Sequence, residues 1–67
     1  MQVGNLYNTQ RFGLVLVTKV EHRGFQLNGV PYFKVYMVML DQGRETDGLY
    51  TQSDWKRACK PMTQSQH

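Results

Sequence analysis

A chain of 67 residues has room for one small hydrophobic core and excludes a second. Eight Lys and Arg against five Asp and Glu leave a surplus of +3, dispersed along the chain, which falls short of the one-sided basic surface of a dedicated nucleic-acid binder. The single cysteine, Cys59, lies far in sequence from His22 and His67, which excludes a disulfide framework and a zinc site.

Glycines and Asn-Gly or Gln-Gly steps recur at short intervals, and this spacing predicts an all-β chain. The first predicted strand is Gln2 to Tyr7, with Gly4 letting the backbone bend or approach a neighbour. A polar loop over Asn8 to Arg11 follows. The second strand runs from Phe12 to Glu21, with Val15 and Val17 on one face and Leu14 and Leu16 on the other. Apolar residues on both faces predict that both are covered near its N-terminal half, with Lys19 and Glu21 marking a solvated end.

Asn28-Gly29 is a strong hairpin signal because both residues tolerate positive φ. Phe25-Gln26-Leu27 and Val30-Pro31-Tyr32 read as the arms of that hairpin, and Pro31, which lacks an amide donor, places it at an edge or outside the main sheet. The third strand, Tyr32 to Leu40, alternates a core set, Phe33, Val35, Met37 and Met39, with an amphipathic one. Asp41-Gln42-Gly43 is a tight turn. Arg44 to Tyr50 returns as a fourth strand in which Gly48 predicts a bulge or kink.

Thr51 to Trp55 suits a turn or one short 3₁₀ step, after which Lys56 to Cys59 closes a barrel as the fifth strand. The alternative is a short helix from a Ser53 cap to Cys59, stopped by Pro61. Trp55 reads as a plug over one end of the barrel. Residues 1–62 form the domain and 63–67 a polar tail. A chain of this size buries about 60% of its unfolded surface, so its core supplies only about 3–5 kcal/mol and assembly with a partner would help it.

No run approaches the roughly 20 apolar residues of a membrane helix, and no basic-then-apolar leader opens the chain, so a soluble, unsecreted protein without membrane contact is expected. No Walker loop, G-x-G-x-x-G, H-E-x-x-H or nucleophile elbow is present, and no cofactor or metal is implied. Asp41, Glu45, Asp47 and Asp54 read as turn formers and solvated strand positions. His22 reads as a surface histidine and Cys59 as a small packing residue, so the chain is expected not to be an enzyme. The aromatic residues are the stronger functional candidates. Tyr7, Tyr32, Tyr36 and Tyr50 would form a surface band for an extended peptide, although at least half of them are expected to serve packing. In the competing reading, Arg11, Lys19, Lys34, Lys56, Arg57 and Lys60 contact a nucleic acid.

The succession of strand, loop, strand, hairpin, strand, short turn and last strand is that of SH3-like barrels. Val3-Gly4-Asn5-Leu6-Tyr7, Gly13 to Val20, Lys34-Val35-Tyr36-Met37, Asp41-Gln42-Gly43-Arg44 and Tyr50 to Trp55 resemble the short SH3-like proteins of tailed bacteriophages, including those of marine cyanobacteria. The resemblance spans nearly the whole chain apart from the tail, with Asn5 in place of an acid and one extra residue in the Asp41-Gln42-Gly43 turn. The opening is also similar to KOW-type small barrels, which touch RNA or protein. The phage resemblance implies a five-stranded SH3-like barrel and a non-enzymatic protein-interaction module, either a minor virion component or a host-modulating factor in the host cytoplasm. An accessory subunit that completes a larger assembly by edge-strand pairing is a further reading, and self-association is left open.

Overall fold

The computed structural model describes residues 1–61, and the predicted tail lies outside them. The chain forms β1 (Leu6–Thr9), β2 (Gly13–Phe25), β3 (Pro31–Met39), β4 (Arg44–Tyr50), α1 (Gln52–Ala58) and β5 (Cys59–Pro61). The five strands make one antiparallel sheet in the order β4-β3-β2-β1-β5. It is an all-β arrangement with one short helix. Its edges, β4 and β5, do not pair, so hydrogen bonding does not close the sheet into a barrel.

β2 is the spine. Its register against β3 shifts between Val17 and Lys19 and again between His22 and Gly24, leaving Thr18 and Arg23 as extra residues. Each extra residue bends and twists its strand, which lets one long strand serve the body of the sheet and the projecting hairpin. The Asn28-Gly29 turn forms where expected: Gly29 takes φ of +86°, and Asn28 Oδ1 accepts from Val30 N at 3.1 Å. Its arms are not a separate excursion, because Phe25 pairs with Pro31 and Gly24 with Tyr32 as the ends of β2 and β3. Pro31 is tolerated as the first residue of β3, where a missing donor disturbs least.

Three other boundaries differ from expectation. Gln2 to Asn5 turns instead of extending, since Gly4 adopts φ of +90° and Asn5 N donates to Gln2 O. The strand therefore starts at Leu6 and runs to Thr9. Gly48 makes no bulge, for β3 and β4 stay in continuous register from Phe33–Tyr50 to Met39–Arg44. The missing side chain serves close approach instead: a Cβ there would lie 2.9 Å from Cε1 of Tyr50.

The third difference is α1, which replaces the 3₁₀ step and takes Lys56 to Ala58 away from the fifth strand. Thr51, not Ser53, is its cap: Thr51 Oγ1 accepts from Asp54 N at 3.1 Å, and Asp54 Oδ2 accepts from Thr51 N at 3.4 Å. This reciprocal capping box satisfies two otherwise orphaned amides. Asp54 in the first turn and Lys56 and Arg57 in the last also suit the helix dipole. The chain leaves the helix at Cys59 and pairs beside β1, matching Cys59 with Thr9 and Pro61 with Tyr7.

The core lies between the sheet and α1 and comprises Tyr7, Val15, Val17, Val35, Met37, Trp55 and Cys59. Alternation in β2 and β3 puts Val15 and Val17 of β2 and the Val35–Met37 pair on this inner face, while Phe33 and Met39 are half-buried at its margins. The outer face carries Leu14, Leu16 and Val38, which are only half-buried, so both faces of β2 are not covered. The helix lies on one side of the sheet, and among the described residues no second layer is supplied on the other. Buried Thr9 is satisfied at the β1–β2 turn, donating to Gly13 O at 3.0 Å and accepting from Phe12 N at 2.8 Å.

Candidate functional site

The four tyrosines do not form one surface band. Tyr7 is buried, its ring edge-on to Trp55 with centroids 4.9 Å apart and its hydroxyl accepting from Gln2 N. Tyr50 meets Trp55 from the other strand edge at 5.1 Å. Both are on the inner face, and Tyr50 is half-buried there, where burial raises the pKa of its hydroxyl above the ordinary value.

Tyr36 belongs to the outer face. Its hydroxyl donates to Glu21 Oε1 at 3.0 Å, while Lys19 and Lys34 place their ammonium groups 5.4 and 5.2 Å from its ring centroid. Glu21 also receives Lys19 Nζ at 3.0 Å and Arg23 Nη1 at 3.2 Å. The Lys19 and Tyr36 hydrogen bonds push the Glu21 carboxyl down to about 2, and the same contact raises the Lys19 pKa. Beside this knot, Tyr36, Lys19, Glu45 and Asp47 border a hollow of 460 Å³. Thr18, Met37 and Thr46 complete its walls, and its one cation, Lys19, is already engaged with Glu21.

A second concave region offers apolar surface. Hollows of 320 and 230 Å³ adjoin at the end of β4 and share Leu49, Tyr50 and Asp54. The first extends to Gln10 and Arg57, and the second to Gln26 and Tyr32. Together they make a shallow cleft from the β1–β2 turn, past the start of α1, to the base of the β2–β3 hairpin. Leu49 is 62% exposed at its centre, and Arg57 stands 3.9 Å from Asp54. Of the predicted tyrosines, this cleft unites Tyr32 and Tyr50. Leu49 was not among the sequence candidates, although an apolar residue in step with Glu45 and Asp47 on a solvated strand face was a readable signal.

The predicted cations fall on several elements. Lys19 and Lys34 flank Tyr36, Arg11 lies in the β1–β2 turn with its guanidinium 5.6 Å from the Phe12 ring, and Lys56 and Arg57 are on α1. Lys60 is in β5 opposite Asn8. Cys59 is buried, which pushes its thiol up to about 11, so it is a neutral packing residue at ordinary pH. His22 is exposed on its own account but stands between the rings of Phe25 and Phe33, at 5.0 and 5.4 Å. Among the described residues no three His, Cys, Asp or Glu side chains converge as metal ligands, and no helix is long and apolar enough to cross a membrane. No family model matches this chain, and neither a curated protein nor a solved structure does.

Proposed function

We propose that this chain is a non-enzymatic protein-interaction module of the small SH3-like kind, of phage origin, which takes an extended segment of a partner protein along the Tyr32–Leu49–Tyr50 cleft. The observation that carries the reading is the exposed Leu49, which lines two adjoining hollows with Tyr50 and one of them with Tyr32. Such a depression receives side chains of an extended chain, while Gln10, Gln26 and the Asp54–Arg57 pair offer hydrogen bonds at its margins. The SH3-like reading is supported by the order of strands and by a helical turn set between the last two. The virion and the host cytoplasm are both places for such a module, and the phage setting rests on the sequence resemblance.

Selection from a displayed peptide library, followed by amide shift mapping on the labelled protein, tests this. Selected peptides are expected to shift Gln26, Tyr32 and Leu49 to Asp54, and Leu49→Asp is expected to weaken them about tenfold or more, as truncating a central apolar anchor does. Shifts confined to other surfaces, or a selection that yields no binder, overturn the reading. The nucleic-acid reading is favoured by one observation, the two ammonium groups gathered at the Tyr36 ring.

A further inference from the structure

The cleft at the end of β4 does not stop at Arg57. A further hollow of 160 Å³, reaching Lys60, shares Gln10 and Ala58 with the hollow of 320 Å³. Gln10 N donates to Ala58 O at 3.1 Å, which ties the β1–β2 turn to the end of α1 where these two hollows meet. The depression therefore continues from Tyr32 and Leu49 past Arg57 to Lys60.

Charge is divided unevenly along it. Towards the hairpin, Gln26, Tyr32 and Thr51 carry none. At the other end Arg57 has its side chain 76% exposed, and Lys60 is exposed and forms no ion pair among the described residues. Arg11, exposed beside Gln10 in the β1–β2 turn, adds a third cation. Burial raises the pKa of the Tyr50 hydroxyl, and the Arg11 charge opposes that rise, so its field reaches the cleft. Local acids do not cancel these cations. Asp54 is engaged by Thr51 N in the helix cap and stands 3.9 Å from Arg57, at the outer limit of ion-pair contact. Asp41 approaches Gly13 but makes no ion pair with Arg11.

We propose that the partner segment taken by this cleft is an acidic one, with apolar side chains in the hollows at Leu49 and Tyr50 and adjoining carboxylates over Arg57 and Lys60. The proposal rests on the peptide reading above and adds the partner's charge and which of its ends lies where. Apolar burial holds such a segment, and the cations at one end steer it and fix its register. The same cleft disfavours a nucleic acid. A phosphate backbone running from Lys60 to Tyr32 would pass the Asp54 carboxylate, and three cations neutralise too few phosphates to hold it at physiological salt. A peptide with its acids at one end only avoids Asp54.

Titration of peptides from the displayed library against the full chain tests this. Peptides that shift the Leu49 amide are expected to carry Asp or Glu towards one end, and a spin label at that end should broaden the amides of Arg57 and Lys60 while sparing Tyr32. Arg57→Glu and Lys60→Glu should each weaken such a peptide about fivefold or more, with circular dichroism like the parent's. A peptide with Lys in place of its acids should bind the parent weakly and regain affinity for the chain carrying both reversals, because the swapped charges meet as before. Cleft peptides without acids, or with affinity indifferent to both reversals, overturn the proposal and leave the peptide reading standing. A selection that yields no binder removes both. An oligonucleotide that displaces the peptide from Arg57 and Lys60 at physiological salt also overturns it, in favour of phosphate.

Discussion

Trp55 is held between the edges of Tyr7 and Tyr50, at centroid separations of 4.9 and 5.1 Å, and so joins α1 to strands that lie far apart in the sheet order. Truncating a buried tryptophan costs about 3–5 kcal/mol, which is the whole stability expected of a core this size. Trp55→Ala is therefore expected to abolish the cooperative urea transition. Trp55→Phe should be far milder, because no acceptor among the described residues reaches Trp55 Nε1 and its removal relieves an unpartnered buried donor. A urea midpoint for the phenylalanine variant as low as for alanine would contradict this. Glu21 gives a prediction in pH. Its carboxyl is depressed to about 2 from an ordinary 4.5, so the stability it contributes is fully present above 4.5 and is lost as pH falls towards 2. A carbon-detected NMR titration should find the Glu21 midpoint well below the ordinary 4.5, and Lys19→Gln should bring it back up. A Glu21 midpoint near 4.5 in the parent would show that the Lys19 and Tyr36 contacts do not persist in solution.

At the scale of elements, α1 depends on its first residues. Thr51→Ala removes one half of a reciprocal cap and should cost about 1 kcal/mol, while Thr51→Ser should be nearly neutral. Comparing the urea midpoints of the two variants separates loss of the cap from loss of a methyl group. The same element explains where sequence reasoning ran short. Thr51-Gln52-Ser53-Asp54 contains three residues able to cap, and a helix of seven residues leaves too little periodicity to choose between a turn, a strand and a helix. Arg44 to Tyr50, by contrast, was readable to the residue, because Gly43 with φ of +65° closes a tight turn before it and Thr51 begins the cap after it. Gly48 lies between these outcomes. Its lack of a side chain is plain in the sequence, yet only the folded sheet shows that Tyr50 occupies the space. Gly48→Ala is expected to drive the Tyr50 ring from Trp55 at a cost of about 1–3 kcal/mol and to weaken any peptide held in the cleft. An unchanged midpoint would mean that the ring yields without loss.

For the whole molecule, local pattern disclosed the strands but not their closure. The pairing of Cys59 with Thr9 joins residues at opposite ends of the chain, and whether β4 then meets β5 depends on the bend accumulated at Thr18 and Arg23, which no alternation encodes. The same limit applied to the tyrosines, since four similar residues on strands were distributed among core, cleft and outer face by register alone. It applied equally to the cations, and here it decides between functions. A protein that neutralises several phosphates of duplex DNA loses affinity roughly as the −0.9 power of salt per contact. In this chain Lys19 is committed to Glu21 at 3.0 Å, Arg57 has Asp54 at 3.9 Å, and Lys56 and Lys60 sit on different elements from Lys34 and Arg11. Few of them can act together, so retardation of generic DNA or RNA by the purified protein should disappear by physiological salt. A peptide held by Leu49 and the aromatic walls should persist there, because burial of apolar area is not screened. Titrating labelled DNA, labelled RNA and a selected peptide at low and physiological salt measures the contrast directly. Salt-resistant binding of either nucleic acid, abolished when Lys56, Arg57 and Lys60 are replaced together, would assign the chain to nucleic-acid recognition. Its loss on replacing Lys19 and Lys34 instead would place that recognition on the Tyr36 face.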